Sequence, residues 1–155
     1  NTNTYQKAGW VLHMLWHQVG SATFNQILKA YYHEFAHGNA STADFQRVSS
    51  AISGQNLDAF FAQWLYRGGH PQLQVKWRYL PSKKELLVEI LQVQPEPPFH
   101  FTLPIGLQLA SGQIVENVSI KDKKVSISLP CPEKPLSVEL DPHTVLLFEG
   151  VVSGK

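Results

Sequence analysis

Two spacings of hydrophobic positions divide the chain. As far as Leu65 apolar side chains recur every third or fourth residue, and from Leu73 they recur every second one. The first pattern predicts four helices. Around residues 5–19, Val11, Leu12, Leu15 and Val19 share a helical face, and Gly20 supplies a stop. Ser21 is placed to cap a second helix carrying Phe24, Ile27, Leu28, Tyr31, Tyr32 and Phe35, ending at Gly38. Ser41-Thr42-Ala43-Asp44 has the spacing of a capping box for a third helix with Phe45, Val48 and Ile52, which Gly54 ends. Asn56 opens a fourth, with Leu57, Phe60, Phe61, Trp64 and Leu65 on one side. Short links between such helices favour antiparallel packing.

The second half reads as strands. Leu73, Val75, Trp77 and Tyr79 alternate with Gln72, Gln74, Lys76 and Arg78, the pattern of a half-buried strand. Pro81-Ser82-Lys83-Lys84 turns the chain into a second run over residues 85–93, and Pro95, Pro97 and Pro98 end it. Alternation resumes over residues 99–109, followed by shorter runs at 114–120, 125–129, 136–140 and 145–148. About seven short strands with no helix between them predict an antiparallel β-sandwich of immunoglobulin-like size. The expected fold is thus α+β in two units, a helical segment over residues 1–70 and a seven-stranded sandwich over 71–155.

Composition sharpens that boundary. All 10 prolines lie at Pro71 or later, whereas twelve of the seventeen Trp, Tyr and Phe residues precede it, which marks a junction near Gly68-Gly69-His70-Pro71. A 43% hydrophobic content with a net charge of +1 describes a globular chain with no electrostatic footprint for nucleic acid. Cys131 is the sole cysteine, so neither an intrachain disulfide nor a cysteine-based metal cluster is available. No apolar run approaches the roughly 20 residues that span a bilayer. Asn1 opens the chain inside what reads as a helix, which predicts a segment of a longer protein.

One stretch spells a metal motif. His33-Glu34-Phe35-Ala36-His37 matches H-E-x-x-H, in which two histidines a helical turn apart bind zinc and the Glu serves as general base. The geometry argues against it. With Phe24 at zero and roughly 100° per residue, the apolar positions centre near 15°, His33 falls near 180° and His37 near 220°. Both histidines therefore point away from the apolar face. A catalytic zinc also needs a third protein ligand, yet no Glu occurs between Phe35 and Lys84, and positions 40 and 43 are both Ala. His33, Glu34 and His37 are read as a coincidental match on a solvated face. His13 and His17 form a second pair one turn apart, likewise read as outward-facing polar residues.

The order of several segments resembles the aminopeptidase N family of zinc metallopeptidases. "TYQKAGWVLHML" is similar to that family's helix containing Tyr-x-Lys-Gly. "GNASTADF", "ISGQNLDAFFAQWLYRGGHPQLQV" and "VELDPHTVLLF" resemble the segments that follow it there, in the same order. The likeness spans nearly the entire chain. It implies that residues 1–70 are the closing helices of a thermolysin-like catalytic domain and that residues 71–155 are the β-sandwich after it. It also implies that the zinc ligands and the substrate-anchoring loop lie outside this chain, with zinc and a peptide substrate belonging to the parent enzyme. The rest of the catalytic domain is then a partner of this segment.

One functional residue carries over from the resemblance. The Tyr of Tyr-x-Lys matches Tyr5, with Lys7 two residues on, and in the family this phenol points at the substrate carbonyl. Water attack on a carbonyl builds an oxyanion, which a positioned O–H donor binds better than the ground state. Ala8-Gly9 departs from the family's usual order, where Gly comes first. Two further classes remain open from the sequence. One is a non-catalytic scaffold or interaction module of the same family, and the other is a free-standing metalloprotein using His33 and His37.

Overall fold

A computed structural model describes residues 2–154, with side chains described from Tyr5 onward. The chain divides into two compact units, one ending at Gly68 and the other beginning at Gly69. The first is helical: α1 (Thr2–Val19), α2 (Ser21–Phe35), α3 (Thr42–Ser53), α4 (Asp58–Phe61) and a π-helical turn over Ala62–Tyr66. The second is all β: β1 (Gln72–Leu80), β2 (Glu85–Gln92), β3 (Phe101–Leu109), β4 (Gly112–Ile120), β5 (Lys124–Pro130), β6 (Ser137–Leu140) and β7 (Glu149–Gly154).

In the helical unit, fully buried Leu15, Leu57 and Phe61 form a cluster with Val19, Phe24, Phe45, Phe60 and Leu65 packed on it. Tyr31, Phe45, Phe61 and Phe60 join α2, α3 and α4 by successive edge-on ring contacts. The third helix begins as its sequence predicts. The Ser41 hydroxyl accepts from the Asp44 N–H, the Asp44 carboxylate accepts from the Ser41 N–H at 2.9 Å, and Gly54 closes the helix in the left-handed conformation. The Ser41 hydroxyl and backbone N–H hold the Asp44 carboxyl below the usual carboxylate range, and the charge of Arg47 adds to this.

Other ends differ from expectation. Gly20, not Ser21, is the cap of α2, and its carbonyl accepts from Phe24 N at 2.9 Å. Asn56 lies one residue before the α4 cap, Leu57, and its side chain accepts from Asp58 N at 2.9 Å. The expected fourth helix is a single α turn that widens into the π turn, with Phe61 and Trp64 still buried. Leu12, Leu28, Tyr32 and Ile52, all expected on apolar faces, are exposed, while Met14 and Ser49 take interior positions. Periodicity finds an apolar arc, but neighbouring helices decide which part of that arc is covered.

The β unit is a sandwich of a four-stranded sheet, β5-β2-β1-β7, and a three-stranded sheet, β4-β3-β6. Leu73, Val75, Leu86, Val88 and Ile90 from one sheet meet Leu103, Ile105, Leu107, Val118 and Ile120 from the other. All pairings are antiparallel except β1 with β7, which run parallel, with Trp77 opposite Gly154. That register needs a residue without a side chain, because a Cβ at Gly154 would lie 2.0 Å from the Trp77 ring.

Two expected strands are displaced. The apolar run 145–148 is not a strand, and the seventh strand lies at Glu149–Gly154 instead. The buried Asp141 carboxylate accepts from the N–H groups of Val145 and Leu146, both at 2.7 Å, so these donors are unavailable to a ladder. Leu146 and Phe148 pack on the core from this connection. Phe99 precedes β3 rather than opening it. Buried Gln92 accepts from Phe99 N at 2.8 Å and donates to Phe99 O at 2.9 Å and Asp122 O at 3.1 Å. Gln94 donates in turn to the Gln92 side-chain oxygen at 2.9 Å.

Candidate functional site

The first helix presents two apolar faces. Val11, Met14 and Leu15 are buried on one side. On the other, Tyr5, Gly9, Leu12 and Trp16 follow at helical spacing and are all exposed. Tyr5 is 82% exposed, so its phenol stands clear of the helical unit. Lys7, roughly 200° around the helix from Tyr5, turns inward. Its Nζ donates to the carbonyl oxygen of Arg67 at 2.7 Å, and Arg67 N donates to Ala62 O at 3.1 Å to close the π turn. The Tyr-x-Lys pair therefore has one side chain outward, able to donate a hydrogen bond to a bound group, and one side chain fixing the helix start.

The H-E-x-x-H stretch sits at a helix end. Because α2 stops at Phe35, His37 falls in the turn beyond it, and the two histidines do not share one rigid helix. His33, Glu34 and His37 are all exposed. The Glu34 carboxylate is engaged by Arg47 of α3, which also approaches Asp44 at 3.9 Å. Glu34 thus links two helices instead of facing a histidine-bound ion. Among the described residues, no three His, Cys, Asp or Glu side chains converge to hold a metal ion. The described residues therefore do not fit a protein-bound catalytic zinc, which needs three protein ligands.

The other histidine pair departs from its expected surface role. His17 is exposed, but His13 is half-buried, with its ring edge-on to Trp10 at 5.6 Å and stacked with Trp16 at 6.0 Å. In the β unit, buried Cys131 donates from Sγ to Glu133 O at 3.0 Å, and burial pushes its thiol pKa up. The Lys7–Arg67 contact and the exposed Leu12–Trp16 face were not legible in the sequence, since both depend on which helix surfaces meet.

Residues 1–64 match the Peptidase family M1 domain. Over 127 residues the chain is 33% identical to Aminopeptidase M1-A of Oryza sativa subsp. japonica, covering 81% of this chain and 14% of that protein. Over 86 residues it is 33% identical to the Puromycin-sensitive aminopeptidase of Caenorhabditis elegans, covering 56% of this chain and 9% of the relative. The structure of Legionella pneumophila aminopeptidase A resembles this fold over 96% of the chain, with a TM-score of 0.74 and 18% identity. This chain corresponds to 18% of that one. No helix of the described residues is long and apolar enough to cross a membrane.

Proposed function

We infer that this chain, which belongs to the aminopeptidase N (M1) family of peptidases, forms part of an aminopeptidase that removes N-terminal residues from peptides. Residues 1–70 are then the closing helices of its peptidase domain, and residues 71–155 the β-sandwich that follows. The carrying observation is the match of residues 1–64 to the M1 domain, which coincides with most of the helical unit. The chain spans 14% of the length of the rice aminopeptidase and 9% of that of the Caenorhabditis elegans one.

On this reading Tyr5 is the catalytic contribution of the segment. Its exposed phenol donates a hydrogen bond to the oxyanion that forms when water adds to the scissile carbonyl. Zinc, where the parent enzyme uses it, is held by residues outside this chain, and the segment alone does not turn over peptides. The test is aminopeptidase assay of the parent protein with an aminoacyl amide, with and without a chelator, beside the isolated 155-residue chain. Activity of the parent that a chelator removes supports the reading. A parent inactive on every aminoacyl substrate favours the scaffold alternative, and zinc-dependent activity of the isolated chain restores His33 and His37 as ligands.

A further inference from the structure

His13 and His17 lie one turn apart on α1, with His17 in the last turn of the helix. Their ring centroids are 4.6 Å apart with the planes at 78°. Two imidazoles bound cis at right angles, with metal–nitrogen bonds of about 2.0–2.1 Å, hold their ring centres roughly 4.6 Å apart; tetrahedral angles spread them to about 5.3 Å. We propose that His13 and His17 form a two-imidazole site for a tetragonal divalent ion, Cu2+ first and Ni2+ next, with water completing the coordination.

Three features support this. The i, i+4 spacing is the one that brings two histidines onto a single metal from a helix. Trp10 and Trp16 flank His13, and Trp16 also packs edge-on to His17 at 4.5 Å, so the rings are already oriented before an ion arrives. His17 is exposed, so solvent and ions in it reach the pair. Copper stands highest in the divalent affinity order, and square-planar nitrogen–oxygen sites suit it and nickel. The site is separate from the proposed peptidase chemistry and does not depend on it.

The neighbouring tryptophans supply the readout, since a paramagnetic ion bound at the pair quenches their fluorescence. Titrating Cu2+ into the full untagged chain near neutral pH is expected to quench part of that emission, saturating at one ion per chain. The electron paramagnetic resonance spectrum should be tetragonal and show two nitrogen ligands. His17→Gln abolishes both signals, as does His13→Asn, and far-UV circular dichroism confirms that each variant keeps its helices. Because His17 is exposed, its variant remains informative even where His13→Asn fails to fold. His33→Gln leaves both signals unchanged. Quenching that survives His17→Gln, or that is lost with His33→Gln instead, marks an adventitious ion only and overturns the proposal. So does a spectrum with a single nitrogen ligand.

Discussion

Lys7 donates from Nζ to the backbone oxygen of Arg67 at 2.7 Å, across a separation of 60 residues. The contact ties the start of α1 to the residue that closes the π turn. A charge-assisted bond of this kind, half shielded from water, contributes about 1–2 kcal/mol. Lys7→Met keeps the apolar stem and deletes the donor, so the helical unit should lose that amount in urea unfolding followed by far-UV circular dichroism. Lys7→Arg should recover part of it. An unchanged midpoint for Lys7→Met would refute the role.

Gln92 takes the place of a strand partner for Phe99, satisfying both its N–H and its C=O from one buried amide. Gln92→Leu fits the volume but deletes both of these bonds, and a buried polar group that loses its bond costs about 1–3 kcal/mol. We expect the β unit to lose about 2–4 kcal/mol and the segment between β2 and β3 to gain hydrogen exchange. Retention of wild-type stability would show that the apolar replacement repacks without penalty.

Much of the architecture was legible because local chemistry and global packing agree. The capping box Ser41–Asp44, the stop at Gly54 and the alternation through β1 all reappear in the structure. What was not legible rests on contacts distant in sequence or on side chains that capture backbone groups. The run 145–148 has strand-like apolarity, yet the Asp141 carboxylate claims its leading N–H groups, and the ladder with β1 forms further on. Gln92 looks like one more polar residue until Phe99 is placed beside it. At the candidate site, Tyr-x-Lys drew attention to Tyr5 through resemblance, while the inward reach of Lys7 had no sequence signal.

Asp44 gives α3 a defined pH response. Its carboxyl is held below the usual range chiefly by the Ser41 hydroxyl and then by the Ser41 N–H. A depressed folded-state pKa means the stabilisation is complete above the ordinary aspartate value of 3.8 and is lost as pH falls through the lower folded value. Acid titration followed by nuclear magnetic resonance should show the Ser41 and Asp44 amides shifting together below 3.8. In Asp44→Asn the shared transition should vanish. A midpoint above 3.8 would contradict the capping-box origin of the shift.

Tyr5 tests the proposed chemistry most directly. The phenol is 82% exposed on the open face of α1, so Tyr5→Phe removes an O–H without disturbing a packed core. Stability of the chain should therefore be unchanged. Under the proposed role, the same substitution in the parent protein should remove a donor realised in the transition state and cost about 10²–10³ in turnover, or about 2.7–4 kcal/mol. The loss should fall on kcat and on kcat/KM alike, with KM little altered, because the ground-state carbonyl gains less from the donor than the oxyanion does. Steady-state kinetics on the full-length protein with an aminoacyl amide provides the measurement. His33→Ala in the same background should leave the rate unchanged, since His33 is exposed at the end of α2. If Tyr5→Phe turns over at the unmutated rate while His33→Ala is inactive, the phenol has no chemical role and the H-E-x-x-H stretch does.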